Sequence, residues 1–243
     1  VKEGVRVADS ALIVLSGRSG VSVGTEQVFS YAKQRGVPTV FFVNKIDDDR
    51  ANYEKTLEQM KQVFGKSITP FVYPIREGDE FKGFVDIVDM TARRYEGQDR
   101  VDIPVPDGMA ETIAPLREMI MEAIAETDEE LMVKYFNGEE FTFDEIKKAI
   151  RKGVKDGSIF PVYCGSGQDN IGVRSLMDGI GKYLPSPSEI EEMAHIASNG
   201  EPVEVVQSEE ESTAALVFKT IVDPYVGKLS LFRVYSGDVN ADS

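Results

Sequence analysis

Short unbroken apolar runs alternate with helical stripes through the first third of the chain. Ala11-Leu12-Ile13-Val14-Leu15 lies between polar and glycine residues, as a buried parallel strand requires. Residues 24–35 carry a helical pattern that stops at Gly36, with Pro38 just beyond. Thr39-Val40-Phe41-Phe42-Val43 is a second buried run. Tyr53, Leu57, Met60 and Phe64 then recur at helical spacing, the stripe of an amphipathic helix ending before Gly65. Strand and helix in alternation predict a parallel sheet with helices on its faces.

The middle of the chain changes pattern. Phe71-Val72-Tyr73-Pro74-Ile75 and Gly83-Phe84-Val85-Asp86-Ile87-Val88 read as short strands around a polar turn, with a further strand near Arg93 to Tyr95. Helical stripes follow at Leu116, Met119, Ile120, Ala123 and Ile124, and at Leu131, Tyr135 and Phe136. Thr142 with Glu145 three residues on is a capping box for a third helix, with Ile146, Ala149 and Ile150 facing inward. Pro115 either stands near the start of the first stripe or kinks a longer helix. This hairpin-then-helices block, residues 69–157, is expected to be a small α+β unit inserted into the sheet domain, which comprises 1–68 and 158–185. Alternation resumes at Ser158-Ile159-Phe160-Pro161-Val162-Tyr163, followed by a helix with Val173, Leu176, Met177 and Ile180 on one face. Residues 186–212 are acidic and weakly patterned, an expected linker. Residues 213–243 hold two strand-like runs, too few to close an all-β domain, so that domain is expected to be incomplete.

Composition narrows the classes. Among 243 residues, 42% are hydrophobic and 28% charged, an ordinary balance for a soluble globular protein. No apolar run reaches the roughly 18 residues that a membrane-spanning helix needs, and no basic start with an apolar stretch marks a signal peptide. The net charge of −15 argues against tight nucleic-acid binding by these residues alone, while leaving room for local basic patches. A lone cysteine, Cys164, builds no disulfide framework and fits a reducing cytoplasm. It reads as a buried strand residue.

The chemistry concentrates in two loops. Asn44-Lys45-Ile46-Asp47 directly follows the second strand, and ligands of open parallel sheets sit at the carboxyl ends of strands. An Asp carboxylate can accept from both the N1–H and the 2-amino group of guanine, donors that adenine lacks. A site left unpaired by the wrong base can discriminate by roughly four orders of magnitude. Lys45 can lay its stem and charge over the base plane, and Asn44 can brace the loop and the base edge. The plainer alternative is a polar turn with Asp47 or Asp48 capping the next helix. The second loop, Tyr163-Cys164-Gly165-Ser166-Gly167, also joins strand to helix, and the amides of Ser166 and Gly167 could donate to the guanine O6. That loop could instead be an ordinary flexible turn, or part of a dinucleotide fingerprint, although Asn170 stands where a third glycine would be required.

These segments together resemble elongation factor G. The stretch Val5-Arg6-Val7-Ala8-Asp9-Ser10-Ala11, the Asn-Lys-Ile-Asp loop, the Cys-Gly-Ser loop, Tyr183-Leu184-Pro185-Ser186-Pro187 and residues 218–237 occur in the same order as in that family. Phe232-Arg233-Val234-Tyr235-Ser236-Gly237 is similar to the start of its second, β-barrel domain. The main factor and a paralogue branch fit equally. The resemblance implies a phosphate-loop GTPase fold, α/β in class and truncated at its amino end, with an α+β insert and the first strands of a barrel. It implies GTP and GDP as ligands, Mg2+ in the intact protein, and Asn44, Lys45, Asp47, Ser166 and Gly167 as the guanine-binding set. Asn44 and Ser166 stand roughly 120 residues apart in the sequence, whereas one strand-helix-strand step needs roughly 30. The excess is similar to the family's insert subdomain, which implies the ribosome and its stalk protein as partners. No membrane is implied, and a monomer is expected.

Departures from the family are visible. Asp48 stands where an Arg is usual, and Ser166-Gly167-Gln168 replaces Ser-Ala and a larger residue. No phosphate loop is found: Gly65-Lys66-Ser67 follows a helix, and the earlier glycine it would need is Met60. The Asp-x-x-Gly element that reads magnesium, and the histidine that positions water, fall in the family just before the segment matching Val1. His195, the one histidine, sits in the acidic stretch and is expected to be exposed and without catalytic role. No catalytic residue is therefore assigned within these residues. The alternative in another class is a GTPase-like ribosome- or stalk-binding module without translocase activity.

Overall fold

The computed structural model describes residues 1–78, 80–97, 99–190, 192–195, 200–241, with the side chains of 192–195 not described. The chain divides into two compact units, Ser10–Leu184 and Val1–Asp9 with Pro185–Ser243.

In chain order, α1 (Lys2–Val5) precedes β1 (Ala11–Ser16), α2 (Val23–Gln34), β2 (Thr39–Asn44) and α3 (Tyr53–Phe64). A strand β3 (Ile68–Pro70) follows, then β4 (Val72–Glu77), β5 (Glu80–Asp86), β6 (Thr91–Glu96) and β7 (Asp99–Ile103). Next come α4 (Ala110–Ala125), α5 (Glu129–Phe136), α6 (Phe143–Asp156), β8 (Phe160–Cys164) and α7 (Val173–Tyr183). The remaining strands are β9 (Glu192–His195), β10 (Pro202–Val205), β11 (Ala214–Asp223) and β12 (Gly227–Ser236).

A parallel sheet in the order β1-β2-β8-β3 is the frame of the larger unit. In β2 every residue but Asn44 is buried, and β8 is buried throughout, because helices cover both faces. On one face Phe29 of α2 packs against Phe41, Phe64 and Phe160, with ring centroids 5.4, 4.6 and 5.0 Å away. The other face of β8 presents Tyr163 to α7, which approaches closely at Gly179, where a Cβ would collide with the tyrosine hydroxyl. The predicted stripe of α3 is the buried one: Tyr53, Leu57, Met60 and Phe64 are each under one-tenth exposed.

The block between β3 and β8 is an antiparallel meander in the order β4-β5-β6-β7, followed by α4, α5 and α6. Two strands differ from the sequence reading. Ile68–Pro70 pairs in parallel with Phe160–Val162, so the boundary expected at residue 69 falls inside a strand of the parallel sheet. Three residues are too short a run to show a pattern. β7 was unreadable because exposed positions dominate its pattern. Pro115 lies inside α4, and the capping box of α6 forms, with Glu145 N–H donating to Thr142 Oγ1 at 3.3 Å and Thr142 N–H to the Glu145 carboxylate at 2.8 Å.

In the smaller unit β11 and β12 form a long antiparallel hairpin. The stretch expected as a plain linker contains a second ladder, β9 with β10. Arg233 of β12 donates to the Val7 carbonyl and pairs with Asp9 at 2.6 Å. Its guanidinium sits over the Tyr235 ring, 4.5 Å from the centroid. The reading of His195 as an exposed residue concerns a side chain outside the described residues.

Candidate guanine-reading site

β2 and β8 are adjacent and parallel, with Val43 opposite Cys164, so both sequence-read loops leave the sheet side by side. Backbone bonds join them. Gly165 N–H donates to the Val43 carbonyl at 3.0 Å, and Ile46 N–H to the Gly165 carbonyl at 3.1 Å. The loop after β1 joins as well, through Gly17 N–H to the Asn44 carbonyl at 2.8 Å.

Asn44 is the clasp. Its Oδ1 accepts from Lys45 N–H and from Gly167 N–H, each at 2.8 Å. A single side-chain oxygen thus turns its own loop and holds the neighbouring one. Lys45 has φ of 63°, a left-handed conformation uncommon for a side chain of its size. Its side chain is exposed, and Ile46 beside it is 1% exposed and anchors the turn inward. Asp47 is partly exposed, and among the described residues no hydrogen bond or ion pair engages its carboxylate. The capping alternative fails: α3 is capped by Asn52, whose Oδ1 accepts from Lys55 N–H at 2.8 Å.

Asp48 is the engaged acid. It accepts from the Arg50 amide at 2.9 Å and from the Arg50 guanidinium, and Arg18 of the first loop lies 3.7 Å away. The Arg50 amide and guanidinium hold the carboxyl at about 2. Asp48 is therefore faced by two arginines, Arg50 of its own loop and Arg18 of the loop after β1.

Ser166 is fully buried, its Oγ bonded to Asp169 Oδ2 at 3.0 Å and accepting from Asp169 N–H at 3.1 Å. One expectation needs correction. The Ser166 amide, read as a donor to a base oxygen, donates instead to the Ile171 carbonyl at 3.0 Å in a reciprocal pair. The Gly167 amide is bonded to Asn44. The loop is a tight closed turn, and tight turns consume their own amides. Gly165 is obligatory here, since a Cβ would collide with the Ile171 carbonyl oxygen and lie 3.0 Å from the Phe42 ring. Two stretches with Asp-x-x-Gly spacing, 169–172 and 178–181, lie in this turn and inside α7.

Cys164 is buried in β8, and burial pushes its thiol well above the usual range. Gly65 ends α3 with φ of 98°, so Gly65-Lys66-Ser67 is a helix exit, as its place in the sequence implied. Among the described residues no group of three or more His, Cys, Asp or Glu side chains is placed to hold a metal ion. No helix among the described residues is long and apolar enough to cross a membrane.

A parallel sheet with helices on both faces and paired loops at its carboxyl ends defines a nucleotide-binding α/β domain. The chain belongs to the elongation factor Tu GTP binding domain family, whose model matches residues 1–186. This sets aside the dinucleotide alternative. The crystal structure of the protein ttk003000868 from Thermus thermophilus is similar to it, with a TM-score of 0.79 and 34% identity. That likeness covers 97% of this chain and 33% of the other, so the present chain spans about a third of that protein's length. β11 and β12 resemble strands of a β-barrel domain.

Proposed function

We propose that these residues carry the guanine-reading face of a ribosomal translocation GTPase similar to elongation factor G. The observation that carries this is the unengaged Asp47 carboxylate, presented by a turn that Asn44 ties to the second loop at 2.8 Å. Asp47 accepts from N1–H and the 2-amino group of guanine, Lys45 covers the base plane, and Asn44 braces its edge. Gly167 N–H exchanges its bond to Asn44 for the base oxygen, since Asn44 Oδ1 keeps Lys45 N–H; Ser166 acts through its bond to Asp169 as the loop's buried post. In the intact protein GTP binding with Mg2+ and hydrolysis drive movement of tRNA and message on the ribosome, in the cytoplasm. The block from β4 to α6, read from the sequence as residues 69–157, is the insert that meets the stalk protein.

The sequence given holds no phosphate-loop motif to supply an amide cradle and a Lys for phosphates. Those groups supply the electrostatic stabilisation of phosphoryl transfer. GDP is therefore expected to bind near the millimolar range, worth about 4 kcal/mol, with no GTP hydrolysis above background, with or without ribosomes. Calorimetry and phosphate release check both. Asp47→Asn replaces a double acceptor with a donor and an acceptor, so preference is expected to move from GDP to xanthosine diphosphate. Equal competition by ADP and GDP in the unsubstituted chain would end the guanine reading.

A further inference from the structure

The antiparallel meander sends one side chain to each of the two base-facing loops. From β4, Arg76 Nη1 donates to the Ile46 carbonyl at 2.5 Å. From β6, the Tyr95 hydroxyl accepts from Gly172 N–H at 3.4 Å, where the second loop enters α7 with φ of 83°. β5 pairs with both β4 and β6, so the two contacts issue from one hydrogen-bonded body.

The Ile46 contact falls at a sensitive place. The Ile46 carbonyl belongs to the peptide plane that joins Ile46 to Asp47, so its direction fixes the N–Cα bond about which the Asp47 side chain turns. The preceding plane is already held, because Ile46 N–H donates to the Gly165 carbonyl at 3.1 Å. Ile46 itself is 1% exposed, its side chain against Gly17, where a Cβ would come within 2.8 Å of its methyl. One restraint more, on the carbonyl, fixes this second plane too and leaves Asp47 only the rotation about its N–Cα bond and its side-chain torsions. Arg76 supplies that restraint with a charge-assisted bond, stronger than a neutral one.

We infer that Arg76 and Tyr95 are positioning residues for base recognition: they hold the Asn44–Asp47 turn and the Ser166–Gly172 loop to one sheet. This rests on the guanine reading of Asp47 proposed above. Two-point acceptance by a carboxylate needs its plane aligned with the base, so a freed Ile46–Asp47 peptide costs the 2-amino contact most. Inosine diphosphate lacks that amino group, and the ratio of its Kd to that of GDP therefore reports Asp47 alignment.

The test titrates the isotope-labelled chain with GDP and with inosine diphosphate, following backbone amides. The unsubstituted chain is expected to prefer GDP. Arg76→Ala should lower that preference at least fivefold and speed exchange of the Asp47 and Asp48 amides. Arg76→Lys, which can still reach a carbonyl, should restore most of the preference. Tyr95→Phe should speed exchange of the Gly172 amide. Arg94→Ala, which opens only the exposed pair with Glu77, should leave the ratio unchanged. Equal weakening of both nucleotides in Arg76→Ala would show a merely structural residue and overturn the inference. A preference abolished by Asp47→Ala but intact in Arg76→Ala would also overturn it, with the guanine reading still standing. No preference in the unsubstituted chain would defeat that reading and this inference together. If the alanine variant does not fold, the shorter and uncharged Arg76→Gln carries the same comparison.

Discussion

Gly167 and Gly165 sit two residues apart and should answer to alanine in opposite ways. A Cβ on Gly167 meets Asn44 Oδ1 at 3.4 Å and Nδ2 at 3.5 Å, ordinary contacts. Gly167→Ala is therefore expected to stabilise by about 0.4–1 kcal/mol, by narrowing the unfolded ensemble, and to keep GDP affinity. Gly165→Ala forces the Ile171 carbonyl aside and should cost about 1–3 kcal/mol. Urea unfolding of the two variants checks both signs. Asp48 makes a prediction in pH. Its folded value of about 2 lies below the usual 3.8, so its contribution is complete above about pH 4 and is lost as pH falls through 2. The Arg50 amide shift should follow that loss, and Asp48→Asn should remove it. The sequence showed which residue types crowd these loops. It did not show that Asp48 has arginines from two loops, since Arg18 is brought in by the fold.

Helix α6 shows how far local rules reach. Thr142 and Glu145 form the capping box the spacing announces, and Gly157 ends the helix in the left-handed region with φ of 78°. Thr142→Ala should cost about 1 kcal/mol, measurable by thermal or urea unfolding. Glu145 is held at about 2, first by Lys134 of α5 and then by the Thr142 amide. Its value is depressed from the usual 4.5, so its contribution is full above that pH and lost as pH falls toward 2. Lys134→Ala should move the Glu145 titration upward, read from its side-chain carboxyl shift. The box was legible because it is four residues long; the lysine comes from another helix. The start of α3 taught the converse. Three adjacent acids invited a cap at Asp47 or Asp48, yet Asn52 caps the helix, which leaves Asp47 open to a ligand.

At the scale of the molecule, the two compact units differ in how they are held. In the larger, β2 and β8 are buried between helices. In the smaller, the ladder of β11 and β12 leaves Val217, Val222 and Phe232 at 55%, 81% and 46% exposure. A two-stranded hairpin is marginal in water, so its amides should exchange faster than those of β2 and β8. Hydrogen exchange at mid-strand positions, Phe42 and Val162 against Thr220 and Leu229, reads this directly. Equal protection would show that the hairpin gains more from its surroundings than its own ladder supplies.

The alternation that makes a parallel sheet, the change of pattern where the meander and its helices follow, and the residue types of both loops were all written in the chain. Each depends on neighbours within a few turns, where spacing alone says which side chains share a face. The three-residue β3 and the exposed β7 were not written there, because a strand so short or so wet is chosen by its partner. Only the tertiary structure decided that Asn44 clasps Gly167, that the Ser166 amide is consumed by Ile171, and that Asp47 is left open. Those bonds join residues distant in sequence, or close a turn upon itself. Their partners are settled by the register of β2 against β8, a property of the assembled sheet that no local pattern encodes.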